Sequence, residues 1–133
     1  MARVTVINDR PEYLGVMREV LAELGHEAIA IPGEAVTLDQ IAETQPDLLL
    51  VDLRMETGVL NDGWGIIVGS RAHPGLKDVP VIASSGDVTI LRNRATEISA
   101  LADVHPLEKP FSIEDVGELL DRLLERRGSG TPG

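Results

Sequence analysis

Asp52 stands at the end of an unbroken apolar run, Leu48-Leu49-Leu50-Val51, that opens at Pro46-Asp47. A run of this kind, charged at both ends, fits a strand covered on both faces, as in a parallel sheet. Such a strand cannot keep an ionised group in its interior. Asp52 must therefore emerge at the carboxyl end of the sheet, where open α/β folds build their sites. A carboxylate so placed can serve as a nucleophile or as a ligand for a hard cation. Other reactive side chains follow apolar runs elsewhere: Asn8-Asp9, Ser84-Ser85 and Lys109. They add a second acid, hydroxyls that each donate one hydrogen bond, and a compact positive charge.

The elements that must position these groups alternate between two periodicities. Arg3 to Ile7 is rich in β-branched residues and ends at a polar turn, so it reads as a first strand. Pro11 suits the first turn of a helix, Leu14, Met17, Leu21 and Leu24 recur at helical spacing, and Gly25 is placed as its stop. Glu27 to Ile31 is a second strand, a weaker helix covers Glu34 to Thr44, and Asp47 to Asp52 is the central strand. Leu53 to Gly65 is rich in turn formers and leads into a helix from Trp64 to His73. Val81 to Ala83 is the fourth strand, followed by one helix from Val88 to Leu101 with Ile90, Leu91, Ile98 and Leu101 inward. Asp103 to Leu107 is the last strand. Ser112 and Asp115 then form a capping box for a helix from Ile113 to Arg127, whose buried stripe is Ile113, Val116, Leu120, Leu123 and Leu124.

Five strands each followed by a helix make a (βα)₅ unit, and right-handed crossovers allow few arrangements of it. The fold class is α/β, a doubly wound parallel five-stranded sheet with strand order 2-1-3-4-5. That order brings the ends of the first, third and fourth strands around one crevice at the topological switch point. Asn8, Asp9, Asp52, Ser84 and Ser85 then converge, joined by Lys109.

Composition fits this reading. At 133 residues the chain is one domain, residues 1–127, with a tail over 128–133 expected to be disordered. The lack of cysteine removes thiol catalysis and zinc-thiolate sites. Twelve basic against 22 acidic residues, a formal charge of −10, oppose direct nucleic-acid binding. No apolar run approaches the roughly 20 residues of a membrane span, and no signal-peptide pattern is present, so a cytoplasmic location is expected. His26, His73 and His105 lack metal-site spacing.

From residue 3 to about 127 the chain resembles the receiver domain of two-component response regulators. In that family an acidic pair closes the first strand, a phosphoacceptor Asp ends the third, a Thr or Ser followed by a small residue ends the fourth, and Lys-Pro follows the fifth. Asn8-Asp9, Asp52, Ser85-Gly86 and Lys109-Pro110 match in order. The resemblance implies that Asp52 accepts a phosphoryl group from a sensor histidine kinase or phosphotransfer protein as an aspartyl phosphate. Mg²⁺ would be held by Asp9, Asp52 and the backbone carbonyl of Arg54, with Asn8 as a weak or water-mediated ligand. Lys109 and Ser85 would contact the phosphoryl oxygens. The output would be contact with a downstream protein target through the fourth helix and fifth strand. Self-phosphorylation and self-dephosphorylation would be intrinsic, with no enzyme activity on an outside substrate, and homodimer formation is left open.

The chain also departs from the family pattern. Asn8 stands where an acid is usual, which removes one negative charge and implies weaker Mg²⁺ binding. Met55 matches the family's Met-Pro, but Glu56 replaces the proline, and Asp62-Gly63 comes late, implying an enlarged loop beside the site. An aromatic residue is common three positions before the lysine; here that position is Pro106, with His105 adjacent. Asn8 and Pro106 lend weight to the alternative of a pseudo-receiver, a phosphorylation-independent protein-interaction module, whereas Asp9, Asp52, Ser85 and Lys109 together favour the phosphorylated switch.

Overall fold

The structure is a computed structural model and describes residues 2–8, 10–32, 37–53, 63–86, 88–108 and 112–129. The chain runs β1 (Arg3–Asn8), α1 (Pro11–Glu23), β2 (Glu27–Pro32), α2 (Leu38–Glu43), β3 (Leu48–Asp52) and α3 (Gly63–Ala72). It continues through β4 (Val81–Ser85), α4 (Val88–Asn93), α5 (Ala95–Ala100), β5 (Val104–Glu108) and α6 (Ile113–Ser129). All strands are parallel, in the order β2-β1-β3-β4-β5 expected from the sequence.

β3 is buried along its whole length because both faces of the sheet are covered. Side chains alternate between them. Val4, Val6, Leu48, Leu50 and Ile82 pack against α1 and α6, while Ile7, Leu49, Val51, Val81 and Ala83 pack against α2, α3 and α5. The next residues on the α1–α6 side are Asn8 on β1, Asp52 on β3 and Ser84 on β4. The same alternation that builds the core therefore delivers three polar side chains to one end of one face.

Local signals set most helix ends. α1 opens at Pro11 and buries Leu14, Met17 and Leu21. It closes in a Schellman motif: the Gly25 N–H donates to Ala22 O at 3.0 Å and the His26 N–H to Leu21 O at 2.8 Å, with Gly25 at φ +86°. α2 begins later than the sequence suggests, because Thr37 and Gln40 form a reciprocal capping box at Leu38. The expected start at Glu34 lies outside the described residues. Ser112 and Asp115 cap α6 as expected, and the helix runs on to Ser129. Ile113, assigned by its spacing to the buried stripe, is 41% exposed, since the first turn of α6 overhangs the end of the core.

The single helix expected over Val88 to Leu101 is broken at Arg94, which has φ −98° and ψ 0° and separates α4 from α5. Arg94 there lies over the Trp64 ring, 4.7 Å from its centroid, and donates to Glu97 at 2.9 Å. Helical spacing alone does not reveal such a break, since the apolar positions keep their period across it. Arg71, in the last turn of α3, fixes the neighbouring connections. Its guanidinium donates to Ala102 O at 2.9 Å, Leu76 O at 3.0 Å and Val79 O at 2.5 Å. Burial holds its pKa below the usual arginine value, with Asp103 and Asp78 opposing the shift.

Candidate functional site at the carboxyl end of the sheet

Asp52 is 8% exposed and Asn8 is fully buried. The Asn8 Nδ2 donates to Asp52 Oδ2 at 2.8 Å, and the Arg10 N–H donates to Asn8 Oδ1 at 2.8 Å. The partners fix the amide's orientation, because an ionised carboxylate only accepts and a backbone N–H only donates. Arg10 is the N-cap of α1 and makes no side-chain cap, so Asn8 links the Asp52 carboxylate to the start of that helix.

The main chain around Asp52 is held as firmly. Register pairs Asp52 with Ser84, the Leu53 N–H donates to Ser84 O at 2.9 Å, and Ser84 Oγ donates to Val51 O at 3.4 Å. From the other side Gly63, the first residue of α3, lies so close that a Cβ on it would stand 1.8 Å from the Asp52 carbonyl oxygen. Only a residue without a side chain can start α3 at this point.

Tyr13 is a site residue that the sequence reading missed. It packs with the α1–α6 core and its hydroxyl oxygen is buried. Burial and the nearby charge of Asp52 push its pKa well above the usual tyrosine value, while the neighbouring Ser84 hydroxyl opposes the shift. The signal was available, since Tyr13 lies four residues before Met17 and so extends the apolar stripe of α1 towards the site.

No protein-family model matches the chain. It is 30% identical over 127 residues to the transcriptional regulatory protein PrrA of Mycobacterium leprae, an alignment covering 96% of this chain and 52% of that protein. The chain thus spans about half the length of that relative. Its structure matches the receiver domain of nitrogen regulatory protein C with a TM-score of 0.77 and 25% identity, covering 94% of this chain and 95% of the other. The receiver domain of sensor histidine kinase PA1611 from Pseudomonas aeruginosa, which holds a magnesium ion in its active site cleft, matches with a TM-score of 0.77 at 23% identity, covering 93% and 98%. In sequence and in fold the chain resembles the receiver domains of response regulators.

Asn8 and Asp52 meet directly, whereas Asp9, Arg54 and Lys109 lie outside the described residues. So do Met55, Glu56 and the loop as far as Asp62. Ser85 is fully buried as the last residue of β4, one position beyond Ser84 and opposite Glu108 of β5. Among the described residues no three His, Cys, Asp or Glu side chains cluster as a metal site. The buried Asp52 carboxylate still suits Mg²⁺, which takes few protein ligands and keeps water for the rest.

The last strand carries the other departure. Pro106 pairs with Ala83 in an unshifted register, and His105 Nε2 lies 2.7 Å from Asp103 Oδ1. His105 is thus engaged with the turn preceding β5, and the strand shift that would bring it to the position of Pro106 does not occur. The chain's single tryptophan, Trp64, directly follows Gly63 at the start of α3 and reaches Arg94 between α4 and α5.

Proposed function

We propose that this receiver domain accepts a phosphoryl group on Asp52 from a sensor histidine kinase or phosphotransfer protein, in a Mg²⁺-dependent reaction, and signals by protein contact. The observation that carries this reading is the buried Asp52 carboxylate at the end of β3, held by Asn8 at 2.8 Å. A carboxylate oxygen attacks phosphorus, the P–O bond forms as the P–N bond to the donor imidazole breaks, and the imidazole leaves with a proton. Asp52, Asp9 and the Arg54 carbonyl would hold Mg²⁺, which neutralises charge as two anions approach. The magnesium ion in the active site cleft of the similar PA1611 receiver supports Mg²⁺ as the cation.

Lys109 supplies positive charge to the phosphoryl oxygens, and Ser85 donates a hydrogen bond to one of them. The Ser84 hydroxyl, which donates to Val51 O, belongs instead to the support of the strand. Because the Ser85 contact exists only with phosphate present, it favours one state over the other, as a switch requires. The target-binding surface is the cleft of about 330 Å³ between α4–α5 and β5, lined by Leu91, Arg92, Ile98 and Pro106. A cytoplasmic site of action accords with the described residues, which contain no helix long and apolar enough to cross a membrane.

Incubation with Mg²⁺ and a small acyl phosphate, followed by intact-mass measurement, tests the reading. One phosphate adduct is expected, absent from Asp52→Asn. No adduct on the native chain would favour the pseudo-receiver alternative, and an adduct persisting in Asp52→Asn would move the acceptor elsewhere.

A further inference from the structure

Asn8 couples the Asp52 carboxylate to the start of α1. Its amide is fully buried, with Nδ2 on Asp52 Oδ2 and Oδ1 receiving the Arg10 N–H, both at 2.8 Å. An acid in its place would put a second negative charge within hydrogen-bond distance of Asp52, in a site where Asp52 is 8% exposed. Two carboxylates that close repel unless a cation lies between them. The amide instead satisfies one Asp52 oxygen with a neutral donor.

We propose that Asn8 is a positioning residue that keeps the Asp52 carboxylate ordered without a metal ion, and in doing so lowers the affinity of the site for Mg²⁺. The inference rests on the phosphoacceptor reading for its purpose, but its geometry and its test do not. A divalent ion that needs Asp52 Oδ2 must compete with the Asn8 amide for it. An ion using the other oxygen meets a site with one charge fewer than an acidic pair would give. Asn8 also transmits position, because any change in the Asp52 oxygens bears through the same amide on Arg10 and the first turn of α1.

Two variants of the full chain test this, with Mg²⁺ alone as the probe, calorimetric titration for affinity, and thermal melts in chelator and in Mg²⁺. Asn8→Asp is expected to bind Mg²⁺ about tenfold more tightly, reflecting a full negative charge placed against the ion. It should melt below the native chain in chelator and regain most of that loss when Mg²⁺ is added. Asn8→Ala, which removes the donor without adding charge, should bind Mg²⁺ at least as well as the native chain. A purely structural role would lower both melts equally and leave the affinities unchanged.

The proposal is overturned if Asn8→Asp binds Mg²⁺ within about twofold of the native chain, or if its metal-free melt is unaltered. It is equally overturned if Asn8→Ala binds Mg²⁺ more weakly by about fivefold or more, since Asn8 would then be a metal ligand. Should Asn8→Asp fail to fold even with Mg²⁺, the Asn8→Ala titration decides alone. A failure of phosphoryl acceptance would appear in the mass assay and leave these titrations intact, so the two readings fail separately.

Discussion

Gly63→Ala tests how closely α3 is seated on the phosphoacceptor strand. A Cβ at residue 63 would lie 1.8 Å from the Asp52 carbonyl oxygen, 2.7 Å from its carbonyl carbon and 3.0 Å from Leu53 Cα. Non-bonded contacts settle near ~3.5 Å, so the helix would have to withdraw by more than about 1 Å. The opposing atoms are backbone of a buried strand, tied by the Leu53 N–H to Ser84 O, and cannot yield as a flexible side chain could. Gly15 is the internal control, since it lies in the middle of α1 with nothing within 4 Å of its would-be Cβ. Alanine within a helix is favoured over glycine by about 1 kcal/mol, which alone predicts stabilisation at Gly15. At Gly63 overpacking of about 3–4 kcal/mol opposes any such gain and leaves a net loss of roughly 2–3 kcal/mol. For a chain of this size that is a fall in Tm of roughly 6–12 °C, against a rise of roughly 2–4 °C for Gly15→Ala. Urea denaturation with fitted m-values, alongside thermal melts, measures both. The reasoning is refuted if Gly63→Ala is as stable as the native chain, or if the two substitutions shift stability in the same direction.

Arg71→Ala should cost about 2–4 kcal/mol by urea denaturation, because charge-assisted bonds to the Leu76, Val79 and Ala102 carbonyls vanish together and partial exposure softens each loss. Arg71→Lys should recover less than half, as a point charge cannot replace the planar fork; a loss below about 0.5 kcal/mol in the alanine variant would contradict the clamp. Tyr13 is the only tyrosine, so tyrosinate absorbance reads it alone. Its raised folded pKa means that stability is fully present below about pH 10, where tyrosine titrates when unfolded, and declines as the pH rises further, because the unfolded chain then holds fewer protons. The folded chain should therefore show little tyrosinate at about pH 10, and Tyr13→Phe should remove this part of the alkaline loss; half-ionisation near pH 10 in the folded chain would show that the hydroxyl does not sense its burial or Asp52.

The strands were legible because burial on both faces writes itself as continuous apolar runs, and β3 and β4 begin and end within two residues of their expected limits. Asn8 and Asp52 were legible as neighbours because both follow such runs, and topology brings strand ends together. Their direct bond was not, since Asn8 was read as a weakened metal ligand and nothing in its spacing says that it faces a carboxylate. The roles of Tyr13 and Arg71 escape for a related reason. Each depends on contacts with residues of other elements, which periodicity within one element does not record. Ile113 shows the converse case, a residue on the apolar stripe that emerges into solvent because the core ends before the helix does.

Pro106 has a consequence for how another protein can approach β5. The Val81 N–H donates to Asp103 O at 3.0 Å, and in a parallel ladder this turns the amides of His105 and Leu107 towards β4. Residue 106 then faces the unpaired border of the sheet, where a proline offers no N–H. A foreign strand laid along this border would find its main-chain ladder interrupted at the centre, and so would further copies of the same chain. Recognition on this side falls to side chains and to helices, which can be changed one residue at a time without opening the sheet to uncontrolled growth.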